Sequence, residues 1–319
     1  MSKVTIIGAG NVGATAARDL ARDGMIEEIV LLDIKEGVAE GKAADIMQSL
    51  MMKENIGTIV TGTTGDYTKT ADSRIIVITS GVPRKPGMTR EELVGVNSKV
   101  VKSVLEQTTK YSPDAIYVVV SNPMDTMTQL VVNYLGVENA HRVIGMGGLL
   151  DSARFKYNIF MKLREKHPDT FSPDEIYAKV FAKVIGGHGD TTMVPLTNTA
   201  TVFGNPLKSY FTDEEIADIV DKTMRGGAIL TKALGTSAWE APAMGIYDTV
   251  NKLLGDEGYD FEKFPASVYR KEYGLCIGSI INVNYDGVTE IFLDETTDPV
   301  INEKFIKSVE AVRAVNEAL

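Results

Sequence analysis

A glycine-rich turn near the start of the chain constrains the fold more than any other feature of the sequence. The turn consists of Gly8, Ala9, Gly10, Asn11, Val12 and Gly13. It follows a short β-type run, residues 3–7, and precedes a helical pattern over residues 11–23. In such a turn the first glycine permits a tight bend, the second lets a phosphate group approach the backbone, and the third lets the helix pack on the strand. The sequence therefore predicts a βαβ unit in which a helix N-terminus faces a phosphate.

An acidic residue at the end of the second strand narrows the choice of ligand. Asp33 closes the predicted strand 28–33 and stands twenty residues after Gly13. A carboxylate at this position accepts hydrogen bonds from ribose hydroxyls and repels a 2′-phosphate, so the two motifs together indicate NAD rather than NADP. The alternative is that Asp33 only caps a helix.

The order of predicted strands and helices indicates two domains of different architecture. Across residues 1–145 we predict strands at 3–7, 28–33, 58–61, 73–79, 115–121 and 142–145, with helices at 11–23, 41–52, 91–111 and 125–134. This alternation is typical of an α/β fold with a Rossmann-type doubly wound parallel sheet, here an NAD-binding domain. Across residues 146–319 we predict helices at 149–166, 212–234, 239–254 and 300–315 and strands at 178–185, 266–269, 277–285 and 288–293. The irregular order is typical of an α+β domain, which we expect to bind the substrate and carry the catalytic groups.

Composition excludes several classes of protein. The 319 residues include 33 basic and 43 acidic side chains, a net charge of −10, so we expect no nucleic-acid partner, which would require a basic face. No apolar run approaches the roughly 18 residues of a membrane span, and no leader-type segment stands at the N-terminus, so we expect no membrane partner and a cytoplasmic location. The single cysteine, Cys276, cannot form an intrachain disulfide or a thiolate metal site, and we expect no metal.

Histidine is scarce, which limits the candidates for an imidazole acid or base. Of the three histidines, His188 lies in a glycine-flanked segment, residues 186–190, directly after a predicted strand, where small neighbours leave the ring accessible. His141 lies at a helix-to-strand junction and His167 precedes a proline in a polar stretch, so both are interpreted as surface or packing residues. A lone histidine is usually structural, but this setting favours His188 as the general acid/base.

Other polar groups stand where strands of the predicted sheet end. Asn122 follows the fifth strand, and an Asn-Pro pair there is either part of a ligand site or a plain turn. Asp151 and Arg154 lie three residues apart on one helix face, which fits either a site or a surface salt bridge. The glycines of residues 145–148, which permit close packing beneath a ligand, favour the site. The loop 80–90 contains three cations, and its position at the cofactor end of the sheet favours a lid over a solvated surface loop.

Five motifs, in order along nearly the whole chain, resemble those of the NAD-dependent lactate/malate dehydrogenases. They are the glycine turn with Asp33, Gly-Val-Pro-Arg-Lys-Pro-Gly-Met-Thr-Arg at 81–90, Ser-Asn-Pro at 121–123, Leu-Asp-Ser-Ala-Arg-Phe at 150–155 and Gly-Gly-His-Gly-Asp at 186–190. The resemblance implies that His188 takes the hydroxyl proton of the substrate while Asp151 orients the imidazole and stabilises its protonated form. It also implies that a hydride passes between the substrate carbon and NAD.

The resemblance further implies a set of binding residues. Arg154 would hold the 1-carboxylate of the substrate as a bidentate fork, whereas Arg90 and Asn122 would polarise its carbonyl group. Ser237 falls where relatives line the substrate pocket. The remaining implied contacts are made to the cofactor, and their residues are Asn97, Val120, Ser121 and Asn122, together with the glycine turn.

Arg84 carries the expected substrate preference. In this family lactate enzymes have a glutamine at the corresponding position, and malate enzymes have an arginine that binds the distal carboxylate. Pyruvate would leave that charge desolvated and unpaired, a penalty on the order of several kcal/mol. The resemblance therefore implies reversible hydride transfer between (S)-malate and NAD, a step of the tricarboxylic acid cycle, that yields oxaloacetate and NADH. The alternative is a lactate or other 2-hydroxy-acid dehydrogenase of the same family.

Two further interpretations use a similar scaffold. The NAD-dependent glycosidases hold a metal with cysteine and histidine, whereas Cys276 lies far along the chain from the motifs. An NAD-binding sensor would have lost catalytic residues, whereas all the expected polar residues are present here. The resemblance also implies a homo-oligomer, a tetramer or a dimer, and segments 164–169 and 274–287 differ in length from the family pattern.

Overall fold

The computed structural model describes residues 2–52, 57–83, 88–168, 179–255, 263–292 and 297–319, with the backbone alone described at Arg90. The strands are β1 (Lys3–Ile7), β2 (Glu28–Asp33), β3 (Ile59–Thr64), β4 (Ile75–Ile78), β5 (Ile116–Val119), β6 (Val143–Gly145), β7 (Val180–Phe181), β8 (Val184–Gly186), β9 (Met193–Pro195), β10 (Thr201–Val202), β11 (Asn205–Pro206), β12 (Phe264–Arg270), β13 (Leu275–Asn284) and β14 (Gly287–Phe292). The α-helices are α1 (Asn11–Asp23), α2 (Val38–Leu50), α3 (Arg90–Tyr111), α4 (Met124–Leu135), α5 (Gly148–Lys166), α6 (Asp213–Leu234), α7 (Glu240–Leu254) and α8 (Pro299–Asn316).

The first six strands form the predicted parallel sheet. Their order is β3-β2-β1-β4-β5-β6, and every neighbouring pair is parallel. The chain therefore winds outward from β1 in one direction and from β4 in the other, which confirms the doubly wound fold class. The reversal of strand order between β1 and β4 opens a crevice at the carboxyl ends of the strands, where such sheets bind ligands.

Burial on both faces explains why these strands are continuous apolar runs. Every residue of β4 and β5 is buried, and helices cover both sides of the sheet. One face packs against α1 and α2, and the other against α3 and α4. Parallel sheets need this double cover, because the crossover helices lie on their faces. The position of α7 was not predicted: it comes from the second half of the chain and packs against α1 of the first half, as well as against α5 and β13.

The strands of the second half extend the same sheet. Ser267 of β12 pairs antiparallel with Gly145 of β6, and the path continues through β13, β8 and β9, with β14 beside β13. A smaller sheet contains β11, β10 and β7. The second half thus combines helices with antiparallel strands, as the α+β pattern predicted.

Several predicted elements differ from the structure in their bounds, and the strands β9, β10 and β11 were not predicted. The strand expected over 178–185 consists of β7 and β8, with a break at Ala182 and Lys183, and position 178 lies outside the described residues. The break arises because β7 pairs with β10 in the small sheet, whereas β8 pairs with β13 and β9 in the large one. The helix expected over 41–52 begins at Val38, after Gly37 with φ of 73°, and ends at Leu50.

Helix caps fix where the elements near the crevice begin. Thr89 accepts a hydrogen bond from the Glu92 amide at the start of α3, and the Glu92 side chain accepts from the Thr89 amide. Such a capping box satisfies amides that the helix itself leaves unpaired. Thr212 and Glu215 repeat the arrangement at the start of α6. Within the described ranges, no helix is both long enough and apolar enough to cross a membrane.

Candidate active site

A cleft of about 700 Å³ lies at the carboxyl ends of β1, β4 and β5. Of the residues that the sequence predicted for the site, the cleft is lined by Gly10, Asn11, Val12, Gly13, Asn97, Val120, Ser121, Asn122, His188 and Ser237. The predicted residues that are not among the lining residues are Gly8, Ala9, Asp33, Asp151 and Arg154. Arg84 lies outside the described residues, and so does the side chain of Arg90. Both halves of the chain thus contribute to one cleft.

The three glycines of the turn differ in what surrounds them. Gly8 has a φ of 109°, and a Cβ built there would lie 2.7 Å from the Thr79 hydroxyl oxygen. A Cβ at Gly13 would lie 2.0 Å from the Gly8 carbonyl oxygen, so α1 can start this close to β1 only without a side chain. A Cβ at Gly10 would meet no described atom within 4 Å. The first and third glycines are therefore required by packing, whereas the second leaves open space at the N-terminus of α1.

This contrast predicts different results for two alanine substitutions. Gly13→Ala is expected to lower the free energy of unfolding by about 3 kcal/mol, because its methyl group overlaps the backbone. Gly10→Ala should leave stability within about 0.5 kcal/mol of the parent, but weaken NADH binding at least about tenfold, because the methyl group occupies the phosphate position. Denaturant unfolding measures the first effect. Energy transfer to NADH from Trp239, the single tryptophan and a lining residue of the cleft, measures the second. Equal NADH affinity of Gly10→Ala and the parent would contradict the assignment.

Asp33 ties the glycine turn to the end of β2. One oxygen of its carboxylate accepts a hydrogen bond from the Ala9 amide at 2.7 Å, and the other accepts from the Lys35 amide at 2.9 Å. The cap of α2 is Gly37, without a side-chain hydrogen bond, so the interpretation of Asp33 as a helix cap is wrong. Each carboxylate oxygen has a second acceptor site, which fits a ribose hydroxyl.

A buried hydroxyl group also fits a polar ligand in the cleft. The hydroxyl oxygen of Ser80 lines the cleft, is inaccessible to solvent and has no hydrogen-bond partner among the residues that the structure describes. Buried polar groups are rarely left unpaired, so a ligand with hydrogen-bonding atoms suits this place. Together with the open space at Gly10, it fits a dinucleotide cofactor.

Asn97 braces the loops that follow β4 and β5. Its side-chain amide donates to the Asn122 carbonyl at 2.6 Å and to the Val82 carbonyl at 3.2 Å, and its oxygen accepts from the Val82 amide at 2.8 Å. Ser121 donates to the Ser80 carbonyl at 2.5 Å, so the same two loops are joined a second time. The Asn122–Pro123 bond is cis. Asn97 therefore holds the walls of the cleft, and its contact with the cofactor stays a prediction.

His188, Asp151 and Arg154 form a buried cluster at the second-half side of the cleft. The Nδ1 atom of His188 lies 2.7 Å from Asp151 Oδ2, and Arg154 lies 3.1 Å from Asp151 Oδ1. Because a carboxylate only accepts, Nδ1 carries the proton, and Nε2 is left to exchange a proton with a ligand. The side chains of Asp151 and Arg154 are 3% and 14% exposed, so the interpretation of this pair as a surface salt bridge is wrong.

The surroundings of His188 favour its protonated form. Burial by itself lowers the pKa of the imidazole, but the charge and hydrogen bond of Asp151 raise it. The charge of Asp125 also raises it, whereas that of Arg154 opposes the increase. The net result is a pKa of His188 above its ordinary value, which suits a group that must both hold and release a proton near neutral pH.

Glycines make room for two of these side chains. A Cβ at Gly147 would lie 2.5 Å from Cε of Met124 and 2.8 Å from Cγ of His188, so this glycine makes room for the imidazole. That the glycines of residues 145–148 pack beneath a ligand stays a prediction. A Cβ at Gly226 of α6 would lie 3.1 Å from Cδ of Arg154, and Gly227 faces the same guanidinium group. Two glycines inside a helix cost stability. The adjacent glycines at 226 and 227, unfavourable within a helix, were therefore a signal in the sequence that another group packs closely against this part of α6.

The sequence interpretation missed Asp125. Its Oδ2 accepts a hydrogen bond from the backbone amide of His188 at 2.6 Å, and its Oδ1 accepts from the Ser267 hydroxyl at 2.7 Å. An acidic residue in the first turn of a helix is common, because it interacts well with the helix dipole. Nothing local distinguishes Asp125 from that ordinary case.

The metal site of a glycosidase would need a cysteine and a histidine that can both act as ligands. Across the described ranges, no group of three or more histidine, cysteine, aspartate or glutamate residues is arranged to hold a metal ion. Cys276 is fully buried, and this burial raises the pKa of its thiol well above the usual range. A neutral buried thiol is a poor metal ligand.

The doubly wound sheet, the glycine turn and the buried histidine–aspartate pair in one cleft define the class of nicotinamide-dependent dehydrogenases. The chain belongs to the lactate/malate dehydrogenase family. The family's NAD binding domain matches residues 2–145, and its alpha/beta C-terminal domain matches residues 149–316. NAD is therefore the cofactor, and the protein is an NAD-dependent 2-hydroxy-acid dehydrogenase.

Relatives and solved structures of this family match the full chain. The malate dehydrogenase of Bacteroides thetaiotaomicron is 49% identical, with 100% of this chain and 98% of that protein covered. The malate dehydrogenase of Flavobacterium frigidimaris is 48% identical, with 99% and 98% covered. The structure of malate dehydrogenase from Salinibacter ruber has a TM-score of 0.86 at 35% identity, covering 99% of this chain and 97% of that chain. The lactate dehydrogenase of Cryptosporidium parvum, complexed with lactic acid and NAD, has a TM-score of 0.87 at 31% identity, covering 99% and 97%.

Proposed function

We propose that this protein is an NAD-dependent malate dehydrogenase that interconverts (S)-malate and oxaloacetate. The observation that carries the proposal is the buried contact of His188 with Asp151 in the dinucleotide cleft. The identity of 49% with a malate dehydrogenase over the whole chain supports the substrate. The fold alone does not choose a substrate, since the lactate dehydrogenase of Cryptosporidium parvum has as high a TM-score as the malate dehydrogenase structure.

The acid/base role belongs to His188. In malate oxidation the imidazole Nε2 takes the hydroxyl proton of the substrate, and Asp151 stabilises the positive charge that the ring acquires. In the reverse direction the protonated ring returns this proton to the carbonyl oxygen. The hydrogen bond from Nδ1 to Asp151 keeps the ring in one tautomer and one orientation through both directions. Bound NAD supplies the hydride acceptor.

Arg154 is suited to the 1-carboxylate of the substrate. One nitrogen of its guanidinium group is held by Asp151, and its buried Nε has no partner within the part of the chain that the structure describes. An arginine fork binds a carboxylate with two parallel hydrogen bonds, which also orients it. Asn122 and Arg90 complete the proposal as groups that polarise the substrate carbonyl, and Ser237 as a residue of the pocket wall.

Arg84 is proposed to bind the distal carboxylate, on the strength of the family resemblance of residues 81–90. A lactate dehydrogenase is the second candidate, supported by the structural likeness to that enzyme. The test measures NADH consumption with oxaloacetate and with pyruvate at equal concentrations. We expect oxaloacetate to react faster by a factor on the order of 10² or more, because pyruvate leaves a buried charge unpaired. Faster turnover of pyruvate would overturn the malate assignment, and consumption with neither would overturn the activity.

The same proposal covers the organisation of the protein. Residues 1–145 form the NAD-binding domain, and residues 146–319 form the catalytic domain, which also holds the 1-carboxylate of the substrate; the ends of the two family matches support this division. A dimer or tetramer is supported by apolar side chains at the end of α6, where Ile229, Leu230 and Leu234 are exposed. We place the enzyme in the cytoplasm, in the malate step of the tricarboxylic acid cycle.

A further inference from the structure

The peptide group of His188 needs support from outside its own segment. His188 is flanked by Gly187 and Gly189, and glycine restricts the backbone less than any other residue. On one side the Gly187 amide donates to the Ser308 hydroxyl at 2.8 Å, so α8 holds this end of the segment. On the other side the amide of His188 itself donates to Asp125 of α4 at 2.6 Å. Asp125 is therefore the contact that sets the peptide plane from which the imidazole projects.

Asp125 is itself held in one orientation. The Ser267 hydroxyl of β12 donates to its second oxygen at 2.7 Å, and both side chains are buried. Ser267 also lies opposite Gly145, at the pair that joins β12 to β6. The hydrogen bonds of Asp125 to Ser267 and to the His188 amide therefore connect the large sheet to the segment that carries His188. Burial raises the pKa of Asp125 above its ordinary value, whereas the hydrogen bonds from the Ser267 hydroxyl and the His188 amide lower it and so favour the ionised carboxylate.

We propose that Asp125 is a positioning residue for the acid/base step, through its hydrogen bond to the His188 backbone and through its negative charge. The inference rests on the proposed function for its kinetic tests. Its hydrogen bond holds the imidazole where Nδ1 meets Asp151. Its charge favours the protonated ring, which is the form that gives its proton to the carbonyl oxygen of oxaloacetate when NADH supplies the hydride.

The charged groups around His188 support the proposed effect of the negative charge of Asp125 on the imidazole. Asp151 and Arg154 face the ring from α5 with opposite signs, and Asp125 faces its backbone from α4. Asp190, two residues further on, is an exposed carboxylate that also lines the cleft. Cys276 lies close enough for Asp125 to affect its thiol, which burial keeps neutral. Asp125 is thus a second buried carboxylate beside the imidazole, and its effect is to raise the pKa of His188.

Three substitutions separate the effect of the hydrogen bonds of Asp125 from the effect of its charge, and a fourth is the control. Asp125→Asn can keep both contacts, because its amide oxygen accepts from the His188 amide and its amide nitrogen donates to the Ser267 oxygen, but it removes the charge. Asp125→Ala removes both contacts and the charge. Ser267→Ala keeps the charge of Asp125 and removes only the hydrogen bond that the Ser267 hydroxyl donates to it. Asp114→Asn, at an exposed position before β5, is the matched control for loss of one negative charge.

We expect Asp125→Asn to shift the pH midpoint of kcat/KM for oxaloacetate downward by about 0.5 to 1 unit, because one nearby negative charge is lost. Asp125→Ala should lower kcat by a factor of about 10 to 100, because the imidazole is misplaced. Its NADH affinity, measured by energy transfer from Trp239, should stay within about threefold of the parent, because the hydrogen bonds of Asp125 join it to the His188 amide and the Ser267 hydroxyl and not to the glycine turn. Ser267→Ala should lower kcat less, with a smaller shift of midpoint than Asp125→Asn. Asp114→Asn should match the parent in all three measurements.

The imidazole titration of His188, followed by NMR and assigned by its loss in His188→Asn, tests the charge without any substrate. A midpoint for Asp125→Asn equal to that of the parent would overturn the electrostatic role. A wild-type kcat in folded, NADH-binding Asp125→Ala would overturn the positioning role, and if that variant does not fold, a wild-type kcat in Ser267→Ala does so. Should the parent fail to oxidise NADH with oxaloacetate while the NMR midpoint still shifts in Asp125→Asn, the proposed function fails and the electrostatic inference stands.

Discussion

Replacing His188 with asparagine is expected to lower kcat for oxaloacetate reduction by a factor of about 10² to 10⁴. Asparagine cannot exchange a proton near neutral pH, so the carbonyl oxygen has no proton donor in position. NADH affinity should change little, since the proposed contacts with the dinucleotide are made by the glycine turn and Asp33 and not by His188. Steady-state oxidation of NADH measures kcat, and energy transfer from Trp239 to NADH measures the binding affinity.

The pH dependence of the parent enzyme follows from the same group. The contact with Asp151 holds the pKa of His188 above its ordinary 6.5. Oxaloacetate reduction needs the protonated ring, so its kcat/KM should stay high at low pH and fall as the pH rises through the raised pKa. Malate oxidation needs the neutral ring, so its kcat/KM should rise across the same midpoint. His188→Asn should lose both transitions.

His141→Asn provides the matched control, because His141 is an exposed histidine on a different face of the protein. Its rates and pH profile should equal those of the parent. A residual kcat for His188→Asn within tenfold of the parent would assign the proton transfer to another group. A midpoint for the parent below 6.5 would contradict the stabilising effect of Asp151.

Replacing Arg84 with glutamine is expected to shift the ratio of kcat/KM for oxaloacetate over pyruvate by a factor of about 10² to 10³ toward pyruvate. A guanidinium group that pairs with the distal carboxylate of oxaloacetate is left unpaired and desolvated by the methyl group of pyruvate. Glutamine removes both the attraction for the distal carboxylate of oxaloacetate and the desolvation penalty with pyruvate. Competition of the two substrates for NADH measures the ratio directly.

Lys85→Gln is the control for this change, since it removes one positive charge from the neighbouring position of the same loop. Its ratio should stay within about threefold of the parent. If Arg84→Gln leaves the ratio unchanged, the discrimination between dicarboxylate and monocarboxylate lies in other residues. If both variants shift it equally, the general charge of the loop is responsible instead of one side chain.

Much of the fold and of the candidate site was predictable because the relevant signals are local. The bounds of β1, α1 and β2 agree with the prediction, since an apolar run, a glycine turn and a helical period each act over a few residues. The first and third glycines of the turn have the packing that the motif predicts. His188 was found by its glycine neighbours and by the scarcity of histidine. The roles of the site residues stay predictions, and Arg84 lies outside the described residues.

The parts that were not predicted depend on contacts between distant segments. The strand expected over 178–185 is divided because its two ends pair with different sheets, and no property of those residues encodes that division. The glycines Gly226 and Gly227 could be noticed in the sequence, but their partner Arg154 could not. In the same way, α7 is a helix by its own pattern, whereas its place against α1 of the first half follows from the tertiary structure.

The sequence by itself determined the alternating strands and helices of the first half, which cofactor class the first turn suits, and which imidazole is available for proton transfer. Only the tertiary structure decided that Asp125 and Ser267, 142 residues apart, together hold the backbone of His188. The physical reason is the range of the forces involved. Turn geometry and apolar periodicity act between near neighbours in the chain, whereas a buried hydrogen bond depends on where the sheet order places two segments in space.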